Sequence, residues 1–230
     1  MQSFKICLDA GHSGRYNQSP CNKAYYESDM SWKLHLLLKA RLEDYGFEVV
    51  QTRCSQSDEL SVFKRGEMAK GCDLFISLHS NAYPNGKANE QTDYPIVYAP
   101  ISGKGDEIGA RLSDCIAKTM GTKQAGKCTA KKGASGDYYG VIRGASSVGT
   151  IGLLIEHSFH TNTRSTNWLL NDDNLNSLAK AEANVIAEHF GLNLQKKLYR
   201  VQVGAYADKE NAKAVLSSLK KAGFNGFITQ

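Results

Sequence analysis

A ten-residue stretch, Asp73-Leu-Phe-Ile-Ser-Leu-His-Ser-Asn-Ala82, constrains the fold of this chain more than any other. Its apolar content predicts a buried strand, in which alternate side chains point to opposite faces. One face is apolar throughout: Leu74, Ile76 and Leu78. The other face carries Ser77 and then His79, where the strand passes into a loop. Strand ends in an open α/β sheet border the ligand crevice, so His79 is placed for chemistry.

Strand-like and helix-like segments alternate along residues 4–192. Apolar runs or alternation predict strands at residues 4–9, 47–52, 73–82, 94–98 and 151–156. Apolar stripes predict helices at residues 29–45, 62–70, 106–120 and 172–190. The glycine-rich residues 121–149 are predicted to form a long active-site loop, with a short strand at 138–142. This order predicts an α/β domain whose mostly parallel, twisted sheet is covered by helices on both faces.

Length and composition bound the number of domains. At 230 residues the chain has room for one large domain and a small appendage. Apolar residues make up 41% and charged residues 22%, as in ordinary globular proteins. No apolar run approaches the ~20 residues that a membrane-spanning helix needs. The first predicted strand starts at Phe4, which leaves no room for a signal peptide, so we expect synthesis in the cytoplasm.

The net charge of +5 lies entirely in the C-terminal tail. From Lys196 onward there are seven basic and two acidic residues, which leaves 21 of each sign in residues 1–195. A basic tail on a neutral domain indicates an acidic polymer as partner, although charge alone names no particular polymer. Neither nucleic acid nor a membrane is expected as a partner.

Four polar residues lie at predicted strand ends or in adjoining loops: His12, Glu27, His79 and Glu156. Two imidazoles and a carboxylate, with a water in the fourth position, are a common zinc set in enzymes. A second carboxylate that is not a ligand acts as a base toward that water. The six cysteines contain no Cys-x-x-Cys pair, so a zinc ribbon is not indicated.

A histidine or a glutamate at such a position can also have an ordinary structural explanation. A lone histidine in a strand is more often a buried imidazole bonded to a carbonyl. Glu27 precedes a helix, where a carboxylate interacts favourably with the helix dipole. Glu156 differs, because a carboxylate after five mainly apolar strand residues is costly to bury without a partner, which favours a function. His35 and His189 fall within predicted helices and are expected to be structural or solvated.

Four segments together resemble one enzyme family. They are Leu8-Asp-Ala-Gly-His12, Glu27 before an amphipathic helix, Phe75-Ile-Ser-Leu-His-Ser-Asn-Ala82, and Leu154-Ile-Glu-His-Ser-Phe-His-Thr-Asn162. In order and spacing, residues 4–192 resemble the zinc-dependent N-acetylmuramoyl-L-alanine amidases of the amidase 3 type. The resemblance implies that His12, Glu27 and His79 bind Zn²⁺ and that Glu156 is the catalytic glutamate. It also implies that the substrate is peptidoglycan, cut at the amide between N-acetylmuramic acid and L-alanine.

The resemblance implies a mechanism and leaves two alternatives. Zinc would polarise the lactyl carbonyl and activate a water, while Glu156 would take the water proton and pass it to the alanine nitrogen. The alternatives are a zinc peptidase acting on wall peptides and a peptidoglycan-binding protein without activity. The presence of all four residues argues against the second. An enzyme made without a signal peptide would meet the wall only after lysis or release, as an autolysin or a phage endolysin.

The segment after Glu156 departs from the family's pattern. The family usually has a small residue, often glycine, followed by Phe and Leu, whereas this chain has Ser158 and His160 at the small and leucine positions. By strand alternation His160 would share a face with Glu156. It either tunes substrate binding or is a surface change; we favour the surface change, and His157 has a similar status.

Residues 198–230 resemble the opening half of a sporulation-related repeat (SPOR) domain. The run Tyr199-Arg-Val-Gln-Val-Gly-Ala-Tyr206 indicates a strand, residues 212–219 a helix, and residues 227–228 a second strand. The chain thus divides into a catalytic domain at 1–192, a linker at 193–197 and a βαβ segment at 198–230.

SPOR domains bind septal peptidoglycan, which implies wall binding and a spore-forming bacterium or its phage as source. Half a module leaves strand edges unpaired, so we expect it to dock on the catalytic domain or, as we favour, to form a homodimer.

Overall fold

The computed structural model describes residues 3–192, 202–224 and 226–229. Proximity of Cα atoms divides the chain into two units, Met1–Gln195 and Lys196–Gln230. Among the described residues, no helix combines the length and the apolar character that crossing a membrane requires.

The strands and helices follow in the order that the hydrophobic patterns indicate. The strands are β1 (Lys5–Ala10), β2 (Glu48–Gln51), β3 (Leu74–Asn81), β4 (Ile96–Ala99), β5 (Lys127–Ala130), β6 (Lys132–Gly133), β7 (Gly136–Asp137) and β8 (Ile151–Phe159). The helices are α1 (Glu27–Asp44), α2 (Val62–Glu67), α3 (Asp106–Met120), α4 (Gly140–Ser147), α5 (Thr163–Leu169), α6 (Asp172–His189) and α7 (Lys209–Lys221). The four helices predicted in residues 4–192 correspond to α1, α2, α3 and α6, and α5 was not predicted.

A six-stranded sheet in the order β2-β1-β3-β8-β4-β5 forms the centre of the first unit. The strands β2, β1, β3 and β8 are parallel, whereas β4 runs antiparallel to β8 and parallel to β5. The predicted mostly parallel α/β sheet is therefore confirmed. The register pairs Asp9 with Ser77 across β1 and β3, and His79 with Glu156 across β3 and β8.

Helices cover both faces of this sheet, as predicted. Leu8, Ile76 and Ile155 face a core that includes Leu34 of α1, together with residues of α3 and α6. On the opposite face a smaller core joins the sheet to α4 and to the segment after α2: Cys7, Phe75, Leu154, Val141, Ile142, Ala145 and Ala69 belong to it. A strand buried on both faces reads as a continuous apolar run, which accounts for the composition of β8.

The prediction for residues 121–149 is wrong in part. They contain β5, β6, β7 and the helix α4, and the predicted strand at 138–142 is instead the start of that helix. The reason is a close contact between two helices. A Cβ atom on Gly144 of α4 would lie 2.1 Å from the carbonyl oxygen of Phe63, and one on Gly66 of α2 would lie 2.1 Å from that of Val141. Glycine at both positions lets the backbones meet, a long-range contact that local patterns do not reveal.

The second unit contains α7, which confirms the helix predicted there. Asp208 caps it by accepting a hydrogen bond from the backbone N–H of Glu210 at 2.6 Å. Residues 199–201 of the first predicted strand lie outside the described residues, and residues 202–206 are not in a strand. Residues 226–229 are not in a strand either, so the strand predicted to begin at 227–228 is not found among the described residues.

His35 is a structural residue of the interface between α1 and β2. Its side chain is buried, and its Nδ1 contacts the carbonyl oxygen of Trp32. Nε2 lies 2.8 Å from the amide nitrogen of Gln51, so the neutral ring donates from Nδ1 and accepts at Nε2. Burial lowers the pKa of His35 to about 4, with a smaller contribution from the charge of Arg53, against the opposing effect of the Trp32 carbonyl.

This neutral histidine predicts acid sensitivity. The pKa of an unfolded histidine is ~6.5, so between that value and about 4 the unfolded state binds the extra proton. Stability therefore falls as the pH drops through this window, by up to about 3 kcal/mol from His35. We expect His35→Gln to lack this part of the loss, whereas His189→Gln, at an exposed position, retains it. Urea unfolding in EDTA at several pH values measures the difference, and parallel losses in both variants would contradict the assignment.

Candidate metal and catalytic site

Three side chains predicted as metal ligands converge near the carboxyl ends of the neighbouring strands β1 and β3. The ligand atoms of His12, Glu27 and His79 all lie within 4.8 Å of one another. Glu27 Oε1 is 3.0 Å from His12 Nε2 and 2.9 Å from His79 Nδ1. One carboxylate oxygen thus lies between two ring nitrogens, which is the donor set expected from the sequence.

Each of the three comes from a different element. His12 is in the loop after β1 and has a left-handed φ of 61°. Glu27 is the first residue of α1, and His79 lies within β3, which continues to Asn81 rather than ending at the histidine. The loop is tied to β3, because the backbone N–H of Gly11 donates to the carbonyl oxygen of Leu78 at 3.0 Å.

Gly11 has no side chain, and this leaves room for the imidazole ring of His79. A Cβ atom at this position would lie 2.3 Å from His79 Cε1 and 2.5 Å from its Nδ1. Such distances are far below van der Waals contact, so any side chain here would displace the imidazole. The close approach of backbone to ring is the physical reason for glycine before His12.

Glu27 is held as a buried carboxylate. Its Oε2 accepts a hydrogen bond from the Asn17 side-chain amide at 2.5 Å, and its Oε1 accepts one from the backbone N–H of Ser80 at 3.1 Å. Burial by itself raises the pKa of this carboxyl, but the hydrogen bonds and charges of His12 and His79 outweigh it. The pKa of Glu27 consequently lies well below its ordinary value. An ionised carboxylate is the form that binds a metal.

Glu156 lies on β8 directly beside His79 of β3. It does not end its strand, since β8 continues to Phe159. The residue is 9% exposed, and its Oε2 has no hydrogen-bond partner among the described residues. Burial, and next the charge of Glu27, raise the pKa of Glu156 well above its ordinary value. An unpartnered buried carboxyl oxygen beside a metal-type donor set is unusual for a structural residue.

The residues present fit a zinc ion. Two imidazole nitrogens and a carboxylate oxygen are a set that zinc binds in catalytic sites, with one position left for water or substrate. The side chains of His12 and His79 are 25% and 15% exposed, so this position opens to solvent. Glu156 Oε2 supplies an acceptor that has no donor within the described part of the chain.

The expectation that His160 is a surface residue is wrong. Ser158 has a left-handed φ of 63°, and the register of β3 and β8 shifts between His79 and Asn81. This bulge interrupts the alternation that would have placed His160 on the face of Glu156. His160 is instead buried, with Nδ1 3.0 Å from the carbonyl oxygen of Ser80. The left-handed φ also explains why a small residue, often glycine, suits position 158.

His157 belongs to a fully buried ion pair that the sequence analysis missed. Its Nε2 lies 2.7 Å from Glu182 Oε1, and its Nδ1 lies 2.9 Å from the carbonyl oxygen of His79. Burial lowers the pKa of His157, but the charge of Glu182 and its hydrogen bond prevail, so the pKa is raised. The His157–Glu182 pair therefore contacts the backbone of His79, a candidate ligand, through the ring of His157. Glu182 lies within the apolar stripe of α6, which is a signal that sequence reasoning did not use.

Comparison with protein families gives two matches along the chain. The family described as N-acetylmuramoyl-L-alanine amidase matches residues 6–188. The SPOR domain family matches residues 176–230, so this second match begins inside α6.

Three known proteins illustrate the similarity. The sporulation-specific N-acetylmuramoyl-L-alanine amidase of Bacillus subtilis (strain 168) is 27% identical over 230 residues, covering 97% of this chain and 84% of that protein. The endolysin of Bacillus phage SPP1 is 32% identical over 195 residues, covering 84% of this chain and 67% of that protein. The solved catalytic domain of CwlV, an N-acetylmuramoyl-L-alanine amidase from Bacillus (Paenibacillus) polymyxa var. colistinus, has the same fold. Its TM-score is 0.69 at 19% identity, over 83% of this chain and 99% of that domain.

Gly11→Ala tests the geometry of the donor set. The added Cβ must displace the His79 ring, so we expect affinity for Zn²⁺ to fall roughly tenfold or more. Gly14→Ala is the matched control in the same loop. Its φ of +58° costs about 1 kcal/mol of stability, but nothing lies within 4 Å of the added atom, so the zinc affinity should stay unchanged. Competition with a chromophoric chelator measures both, and equal affinities in the two variants would contradict the arrangement.

Proposed function

This chain belongs to the N-acetylmuramoyl-L-alanine amidase family, and on that premise we propose that His12, Glu27 and His79 hold its Zn²⁺ and that Glu156 is its general base. Members of the family are peptidoglycan hydrolases, and the bond they cut joins N-acetylmuramic acid to L-alanine. The observation that carries the proposal is the pair of imidazole nitrogens around one oxygen of Glu27, with an unpartnered carboxyl on the adjacent strand.

Glu27 and Glu156 have different roles in hydrolysis. Zinc, when bound, supplies a positive charge that polarises the scissile carbonyl and acidifies a neighbouring water. Glu27 enters as a carboxylate, since the two histidines keep its pKa low. Glu156 removes the proton from the attacking water and delivers it to the departing alanine nitrogen. Glu156 must be ionised to take this proton, and burial raises the pKa of its carboxyl, so it is a stronger base than an exposed carboxylate.

The amidase reaction is favoured over the two alternatives. A peptidoglycan-binding protein without activity has no need of a buried, unpartnered carboxyl group beside three metal-type donors. A zinc peptidase would use the same donors, so the products must distinguish it. The amidase releases peptides with free N-terminal L-alanine and leaves the glycan intact, whereas a peptidase exposes other amino termini.

Glu156→Gln should abolish hydrolysis and leave the metal in place. Loss of a positioned base costs typically 10²- to 10⁴-fold in rate, while the three ligands still bind about one equivalent of zinc. Glu188→Gln is the control, because this carboxylate is two-thirds exposed and pairs with Arg111 on the surface. Turbidity of purified walls, zinc content and mass spectrometry of the products are the measurements. Normal lysis by Glu156→Gln, or products without free N-terminal L-alanine, would overturn the assignment.

We further propose that residues 198–230 bind the wall and are joined to the catalytic domain through residues 193–197. The SPOR family match supports this proposal. In α7 the lysines are exposed, and the predicted apolar stripe, Ala212, Val215, Leu216 and Leu219, is partly buried. The tail thus offers cationic groups to an anionic wall polymer. The two relatives named for sporulation and for phage support a role in programmed wall breakdown, after lysis or release.

A chain ending at Leu194 tests the role of the tail. Losing a second binding element removes avidity, so binding to purified walls should weaken roughly tenfold or more. Hydrolysis of a soluble muramyl peptide should be unchanged, since the four candidate residues remain. Light scattering of both chains at micromolar concentration tests the predicted homodimer, which requires the intact chain alone to be dimeric. Equal wall binding by the two chains would remove the tail from the targeting function.

A further inference from the structure

We propose that Asp9 and Ser77 are positioning residues that hold His79 in the tautomer whose Nδ1 faces the metal. The inference rests on the proposed function, because that function makes His79 a ligand. Three residues form one chain of hydrogen bonds: Ser77 Oγ lies 2.6 Å from Asp9 Oδ2 and 3.0 Å from His79 Nε2. Asp9 and Ser77 are both fully buried, so solvent does not offer substitutes for these bonds.

The sheet places the three residues together. Asp9 of β1 and Ser77 of β3 are register partners on adjacent strands. Ser77 and His79 are two residues apart in one strand, so their side chains share a face. The arrangement therefore follows from strand pairing and does not depend on a loop.

The number of available protons decides which atom donates each hydrogen bond between Asp9, Ser77 and His79. Asp9 Oδ1 accepts from the hydroxyl of Thr52 at 2.5 Å and lies 3.4 Å from an Nη of Arg65, so this carboxylate is surrounded by donors. The only hydrogen of the Ser77 hydroxyl goes to Asp9 Oδ2, because a carboxylate has none to give. Ser77 Oγ must then accept, and the donor is Nε2–H of His79.

A neutral imidazole protonated at Nε2 has its lone pair at Nδ1. This atom of His79 lies 2.9 Å from Glu27 Oε1, and a bound cation would take the place of the proton that the two atoms share without it. The opposite tautomer would place a proton where the metal must bind. Partners that fix the tautomer and orientation of a ligating histidine typically contribute 10- to 100-fold to metal affinity.

The charge of Asp9 is paired with that of Arg65, whose Nη lies 3.4 Å from Asp9 Oδ1. Arg65 also donates to the carbonyl oxygen of Ala10 at 3.0 Å, and Arg53 donates to the same oxygen at 2.7 Å. These two bonds also hold the backbone that leads to His12. The hydrogen-bonded series Asp9, Ser77 and His79, called the relay below, therefore begins at a carboxylate whose charge is paired, as a buried carboxylate requires.

Asp9→Asn makes the sharpest test, because it should invert the relay. The donors Thr52 and Arg65 keep the amide oxygen on their side, so the new NH₂ group faces Ser77. The serine proton then points at His79 Nε2, which opposes the Nε2–H form that binding of a metal at Nδ1 requires. Long-range ¹H–¹⁵N spectra of the zinc-loaded protein report the Nε2–H proton of His79 and its hydrogen bond. We expect a hydrogen-bonded Nε2–H signal in the wild type and its loss or upfield shift in Asp9→Asn, with a loss of zinc affinity of roughly tenfold or more.

Ser77→Ala decides the matter if Asp9→Asn does not fold, since it creates no unpaired charge. We expect its zinc affinity to fall roughly 10- to 100-fold. Thr52→Val is the matched control: it removes a hydrogen bond from the same carboxylate but not from the histidine, so zinc affinity should stay near that of the wild type.

Wild-type zinc affinity in Ser77→Ala, or a zinc-loaded wild type without a hydrogen-bonded Nε2–H on His79, would overturn the inference. Both readouts are independent of substrate. If the zinc-loaded wild type did not cleave walls, the proposed function would fail while the relay could still be demonstrated.

Discussion

The buried carboxylate of Glu27, held between two imidazoles, is the interaction on which the site depends. It joins the first turn of α1 to the loop after β1 and to the central strand β3. Burying a carboxylate is costly, and here the cost is offset by His12, His79, Asn17 and the backbone N–H of Ser80. The side chains of His12 and His79 remain partly exposed, and Oε2 of the neighbouring Glu156 has no hydrogen-bond partner among the described residues. Under the proposed function a cation and a water would complete the arrangement.

The surroundings of His79 explain why the ring has one orientation. Gly11 lies beneath it, the relay of Ser77 and Asp9 contacts its Nε2, and His157 contacts its backbone carbonyl. Two buried ion pairs, one on each side, back these contacts: Asp9 with Arg65 and His157 with Glu182. Such pairs add little net stability compared with apolar packing, but removing one partner is strongly destabilising. They are therefore well suited to holding a geometry in place.

Much of the fold was predictable because its signals are local. Alternation over residues 73–82 and the apolar run of β8 identified two central strands, and helical stripes identified α1, α3 and α6. The four candidate site residues were identified because they lie beside or within such recognisable segments and match the motifs of a known family. Failures occurred where a distant contact decided the outcome. The helix α4 packs closely against α2 because Gly144 and Gly66 let the two backbones meet, and His160 is buried because it packs against Tyr25 and the backbone of Ser80.

The sequence by itself determined the chemical identity of the donors and the period of each element, because both are properties of neighbouring residues. Tertiary structure alone decided which nitrogen of His79 faces Glu27, that Asp9 reaches Ser77, and that Glu182 meets His157. These contacts join residues from 25 to 68 positions apart in the chain. Their geometry follows from strand register and helix packing, which depend on the whole core and not on any single segment.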